Sequence, residues 1–274
     1  MRRTGFVLFA LMALLAMTFA PAFAVTDGEP DGNGHPYVGL MVADDANGKP
    51  LWRCSGTLIS PTIFLTAGHC TEAPAARATI WFEADIQSNQ AALGYPFGGP
   101  TSVDGTTFTH PQFDPNAFFL YDLGVVVLDT PVTDKGFGKL PALNVLDSLK
   151  TQRGKQSTTF TAVGYGMQKS FPDAASWKNE SYKIRMVAYP RLIQINGGIV
   201  GDFSLLLSNN ANTGGTCFGD SGGPNFIGNS NVIAGVTSFG MNGNCAGTGG
   251  VYRVDRADDL NWLYSTFGAY LKKK

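Results

Sequence analysis

All three histidines of this chain, His35, His69 and His110, precede the one segment built to expose a nucleophile, and that order narrows the folds open to it. The segment is GDSGGP, residues 219–224. Glycine admits positive φ and lets other backbone approach closely. A turn this rich in glycine can present Ser221 Oγ and aim the amides of Gly219 and Ser221 at one point, where a tetrahedral oxyanion needs donors. A serine hydroxyl is a poor nucleophile at neutral pH, so it also needs a base and a group that orients the base.

Residues 219–223 fit the GxSxG elbow of α/β-hydrolases, but that fold places its histidine after its serine, and here none follows. His69 lies in TAGHC (66–70), and Asp122 opens the apolar run DLGVVVLD (122–129). The chain order is therefore His, Asp, Ser. His110, in THPQF (109–113), competes as the base; it and His35, beside Pro36, are read as structural, and Asp129 and Asp134 as surface carboxylates.

TAGHC, YDLGVVVLD and GDSGGP, in this order and at these separations, resemble the trypsin-like (chymotrypsin-fold) serine proteases over nearly all of residues 25–271. The resemblance implies an all-β fold: two six-stranded antiparallel Greek-key β-barrels with the active site between them, plus a C-terminal α-helix. It divides the domain, 25–274, into a first barrel at about 25–140, a second at 141–255 and a helix at 256–271. It assigns His69, Asp122 and Ser221 as the catalytic triad and the Gly219 and Ser221 N–H groups as the oxyanion hole, with no cofactor and no metal. It pairs Cys54 with Cys70 and Cys217 with Cys245; from the residues alone, four cysteines in an exported chain indicate two disulfides without fixing the pairing.

Composition agrees with this fold class. The chain has 274 residues, 44% of them apolar, with 34 glycines and 15 prolines punctuating short β-branched runs, a pattern of strands and tight turns. Strands are predicted at 37–42, 51–59, 63–67, 78–82, 106–109, 123–128, 158–163, 182–188, 203–207 and 232–238, with 131–149 as the crossing between halves. Residues 88–104 and 168–180 read as surface loops, and Asn179 opens a formal glycosylation sequon. Residues 258–271 place Leu260, Leu263 and Phe267 at helical spacing. A formal charge of −1 offers no basic face for nucleic acid.

Residues 1–24 carry Arg2 and Arg3, an apolar stretch and Ala22-Phe23-Ala24, the pattern of a secretory signal cleaved after Ala24; Pro21 and that cleavage pattern count against a membrane anchor. The mature chain then starts at Val25, is more acidic, and is secreted without membrane attachment. The resemblance implies that the Val25 ammonium pairs with Asp220 beside the nucleophile, although Thr26-Asp27 departs from the small apolar and glycine residues usual in the family.

Substrate-binding positions follow from the same resemblance. Ser238, Phe239 and Gly240 match the strand that pairs with a substrate backbone, with Phe239 in place of the common Trp. Gly215 stands at the pocket floor where members specific for basic residues carry Asp, and Gly240 and Gly250 at its walls leave the pocket unobstructed. The expectation is a monomeric, secreted serine endopeptidase acting on polypeptides with a neutral, apolar or aromatic residue before the scissile bond (P1), and open to protein inhibitors. The rival readings are a binding protein on the same scaffold and an esterase without peptidase activity.

Overall fold

The structure, a computed structural model, describes residues 25–150, 157–197 and 201–271. The proposed signal segment, 1–24, lies outside them. Six strands close into an antiparallel barrel: β2 (Val38–Asp44), β3 (Pro50–Ser60), β4 (Ile63–Thr66), β5 (Arg77–Trp81), β6 (Val103–Thr109) and β7 (Gly124–Leu128), in the order β2-β3-β4-β7-β6-β5. Leu40, Phe64, Ile80, Trp81 and Val125 are buried in its core. Closure leaves no free edge to aggregate, so the loops at its rim can carry polar side chains.

The second half is an eight-stranded antiparallel sheet, in the order β1-β9-β8-β12-β13-β14-β11-β10. Its strands are β1 (Glu29–Pro30), β8 (Phe160–Gly164), β9 (Met186–Ala188), β10 (Leu192–Gly197), β11 (Gly201–Asn209), β12 (Pro224–Ile227), β13 (Ile233–Gly240) and β14 (Gly247–Arg253). It has two strands more than the expected closed six-stranded barrel: the N-terminal β1, added beside β9, and one more from a break at Pro190. A proline has no N–H to give a ladder; here it splits one bent segment into β9, paired with β8, and β10, paired with β11. The Thr159 to Arg191 bridge and the hydrogen bond from Leu192 N to Thr158 O hold the start of β10, at one end of the sheet, against the residues that lead into β8.

Two further sequence expectations shift. Of the stretch 182–188, only Met186–Ala188 is strand, because Ile184 bridges Asp85 in the first half instead of joining the sheet. No strand is predicted over the glycine-rich β14, yet Gly247 to Tyr252 pair continuously with β11. A second helix follows a short one, α1 (Gly68–Thr71): α2 (Ala257–Leu271) returns to the first barrel, where Phe267 meets Phe108 of β6 edge-on at 5.5 Å. The buried Asp259 anchors this helix to the second half, accepting from the Tyr252 hydroxyl at 3.0 Å.

A buried cation ties the halves together. Arg185, 1% exposed, pairs with Asp31 at 2.9 Å and donates to the carbonyls of Val38 and Phe82 in the first half. It also donates to Tyr165 Oη at 3.2 Å, and the N-terminal carbonyl of Gly32 accepts from it at 2.6 Å. Asp31 has its carboxyl held low: burial opposes this, but His35 and Arg185 outweigh burial. Removing one partner of a buried ion pair strands the other charge, at a typical cost of about 3–5 kcal/mol. We expect Arg185→Met to lower unfolding stability by about that amount in urea titration; a change below about 1 kcal/mol would show that the clamp is not what joins the halves.

Candidate active site

Local packing fixes the first two groups. After β4 the chain turns at Ala67 into α1, whose single turn carries His69. Gly68 and Gly124 let this turn lie against the start of β7: a Cβ at Gly68 would crowd Leu123 N and the Phe113 ring at 3.1 Å. Asp122 precedes β7 and is fully buried. It accepts from His69 N at 2.9 Å, and His69 Nδ1 lies 2.9 Å from its Oδ2. Ser238, on β13 of the other half, donates its hydroxyl to the same oxygen at 2.5 Å.

A carboxylate so placed fixes which imidazole nitrogen carries the proton and leaves Nε2 free of it. Burial of the ring opposes its charging. The charge and hydrogen bond of Asp122, with Glu72 beyond, outweigh burial and raise the His69 pKa above its ordinary 6.5.

The serine loop is fixed by the first barrel. Ser55, on β3 beside Cys54, donates its N–H to Ser221 O at 2.8 Å and its hydroxyl to Gly219 O at 2.9 Å, and it accepts from Tyr165 N at 3.0 Å. Sequence reasoning passed over Ser55; its position next to the cysteine that pins the histidine loop was the only signal. Gly219 and Gly222 have φ of +96° and +77°, conformations that a side chain would strain. At Gly222 a Cβ would also collide with Thr66 Oγ1.

The backbone polarity of this loop follows. Asp220 N donates to Cys217 O, Gly222 N to Thr237 O and Gly223 N to Asp220 O, while Phe218 O accepts from Met167 N at 2.8 Å. Among the described residues, the amides of Gly219 and Ser221 have no acceptor. Ser221 and His69 line one cleft of about 430 Å³ with Thr216, Phe218, Ser238 and Phe239. Among the described residues no hydrogen bond joins Ser221 Oγ to the imidazole, so the two are brought to one cleft without being linked.

Both disulfides form: Cys54 with Cys70 beside His69, and Cys217 with Cys245 beside Ser221. Asp220 is fully buried and accepts from Gly166 N at 2.7 Å and Cys217 N at 2.9 Å. Burial pushes its pKa up to about 6, against the opposing pull of those amides and of Arg53. Val25 is buried with Met186 and Ala188, and Thr26 bridges to Gly215. Among the described residues, no hydrogen bond joins Val25 to Asp220.

At the expected pocket the structure departs from the sequence reading. Gly240 lines the cleft, and a Cβ there would meet only Asn242 O, at 3.5 Å. Gly250 is covered instead of open: a bulge at Ser238 sets Phe239 opposite Gly250, and the Phe239 ring occupies the space a side chain would take. Phe118 caps the same ring edge-on at 5.7 Å. Gly215 does not line the cleft, although its neighbour Thr216 does.

A closed barrel and a curled sheet meeting at a serine, a histidine and a buried carboxylate define the chymotrypsin-type serine-hydrolase architecture. The chain matches the family model described as trypsin over residues 29–260, and it belongs to the trypsin family. It is 28% identical to brachyurin of Leptuca pugilator, over 78% of this chain and 84% of that protein. It is 26% identical to phenoloxidase-activating factor 3 of Holotrichia diomphalia, over 88% of this chain and 72% of that one. The trypsin of Saccharopolyspora erythraea is 27% identical, over 82% and 91%. Among solved structures, a collagenase (HL collagenase) superposes with a TM-score of 0.67 at 21% identity, covering 89% of this chain and 98% of that one. Human heparin binding protein gives 0.62 at 18%, covering 86% and 94%.

If Asp122 is what raises the imidazole pKa, Asp122→Asn leaves burial in control. We expect the His69 pKa, followed by proton NMR of the ring, to fall below that of the unsubstituted protein; an unchanged titration would remove Asp122 from that role.

Proposed function

We propose that the protein is a secreted serine endopeptidase, cleaving polypeptides through an acyl-enzyme formed on Ser221. The observation that carries this reading is that the amides of Gly219 and Ser221, on either side of Asp220, have no acceptor among the described residues, while Ser221 lines one cleft with His69. Such donors cost no reorganisation when charge develops on a carbonyl oxygen, and each is worth roughly 2.7–4 kcal/mol.

In this mechanism His69 Nε2 takes the Ser221 proton as Oγ attacks the scissile carbonyl, and the oxyanion forms against the two amides. Asp122 keeps the imidazole in the right tautomer and stabilises the imidazolium. The imidazolium then protonates the leaving amine, and water, deprotonated by the same ring, releases the acid and restores Ser221. An extended substrate adds a strand along residues 238–240. Without an acid at Gly215 and with Phe218 and Phe239 lining the cleft, the P1 preference is neutral and apolar or aromatic. Residues 1–24 direct export, which places the two disulfides in an oxidising compartment.

Turnover of a peptide substrate by Ser221→Ala is expected to drop by on the order of 10⁶; a variant that keeps most of its rate would reject the assignment. Cleavage of a protein substrate separates this reading from an esterase. Heparin binding protein shares the fold, so a binding role is the second reading; the presence of His69, Asp122 and Ser221 together with the free amides favours catalysis.

The N-terminus supplies regulation in this reading. Asp220 is buried with two amide donors and, among the described residues, no salt bridge, the charge of Arg53 only partly offsetting its burial, a demand that a free Val25 ammonium would meet. While residues precede Val25, the raised Asp220 pKa means stability declines as pH climbs from about 4 to about 6. Starting the chain at Val25 reverses this, and the pair's stabilisation is lost only as pH passes the raised ammonium pKa, above ~8. We expect the Tm advantage of the Val25-starting form over one with an added alanine to be largest between about pH 6 and 8 and to shrink below about pH 4. Parallel Tm curves and equal activity would refute the pair.

A further inference from the structure

Thr26, the residue that breaks the family pattern at the N-terminus, finds its partner behind the pocket. Its hydroxyl donates to Asn209 Oδ1 at 2.6 Å and lies 3.2 Å from Gly215 O, while Thr26 and Gly215 bridge through their backbones. Asn209, the last residue of β11 and 1% exposed, donates from Nδ2 to Thr216 O at 2.8 Å. A carbonyl can only accept, so this bond fixes the amide orientation, and the Thr26 hydroxyl then completes it from the other side.

The position of this amide matters because Gly215 has no side chain. A Cβ built on Gly215 would collide with Cβ, Cγ and Oδ1 of Asn209. The carboxamide therefore fills the volume that a side chain of residue 215 would claim, and it is bonded to the carbonyl of Thr216, which lines the cleft with Ser221. Of its two donors and two acceptor sites, one donor and one acceptor are engaged among the described residues.

We propose that Asn209 is a specificity-determining residue, supplying from another strand the pocket floor that Gly215 lacks, with Thr26 holding it in place; this rests on the endopeptidase reading above. A neutral amide with one N–H and one lone pair to spare accepts an uncharged P1 side chain, above all one ending in a hydrogen-bonding group such as Gln or Tyr. It rejects Lys, Arg, Asp and Glu, because a charge carried to that floor would be desolvated without a partner. Docking of the N-terminal segment and selectivity are then coupled through one hydrogen bond, Thr26 to Asn209.

The test compares kcat/KM across peptides differing only at P1 (Gln, Tyr, Leu, Lys, Arg, Glu) for the chain starting at Val25 and for Asn209→Asp and Asn209→Ala. The unsubstituted protein is expected to favour neutral P1, Asn209→Asp to gain at least about tenfold for Lys and Arg relative to Gln, and Asn209→Ala to shift toward larger neutral side chains. The alanine variant answers the question if the aspartate does not fold. A parent that already prefers charged P1, or variants with the parent's profile, would overturn the proposal while leaving the endopeptidase reading intact. Failure of the parent and both variants to cleave any peptide would overturn that reading, and this proposal with it.

Discussion

Asp122 is the group on which the two halves of the molecule converge. A carboxylate with no solvent exposure is costly unless its oxygens are supplied with donors. Here they come from both sides: His69 N and Nδ1 from the first barrel, and the Ser238 hydroxyl from β13 of the second. The same bonds that make the burial tolerable orient the imidazole and raise its pKa. They also set Ser238, and with it the strand edge proposed to bind substrate, in register with the imidazole. Fold stability and site geometry are thus one requirement at this residue.

The serine loop meets a comparable constraint by other means. Its backbone turns through positive φ at Gly219 and Gly222, and its carbonyls at residues 217 to 221 are all bound, while among the described residues the amides of Gly219 and Ser221 have no acceptor. Ser55 reaches from the first barrel to hold the carbonyls of Ser221 and Gly219, and Arg185 joins the same two halves deeper in the interface. A loop bound this tightly has little freedom to reorganise, which is what electrostatic preorganisation requires. Asp220, the buried carboxyl of this loop, has a raised pKa that the charge of Arg53 and two amide donors do not fully offset.

What the sequence disclosed, and what it withheld, divides along contact range. The motifs around His69, Asp122 and Ser221 are local patterns whose residue types state their chemistry. The regular strands β2 to β7 likewise announce themselves through β-branched runs. The bent strand at Pro190 and the glycine-rich β14 do not, because their strand character comes from partners far along the chain and not from local propensity. Ser55 and the Phe239 ring over Gly250 were illegible for the same reason: each acts through a neighbour more than ten residues away, and a shift of one in register would have pointed it elsewhere; Asn209 was illegible because Thr26, which holds it, lies at the far end of the domain. Thr26 was visible as an anomaly, but its purpose emerged only once Asn209 was placed beside it.

The central claim is that Ser221 is an activated nucleophile with His69 as its base. Mass spectrometry of the protein after treatment with a fluorophosphonate tests it most directly, since that reagent modifies a serine whose proton is removed and whose oxyanion is held. The expected result is a single covalent adduct, mapped to the peptide containing Ser221 and strongly slowed by His69→Ala. An unmodified mass at saturating reagent, or an adduct at another residue, would contradict it.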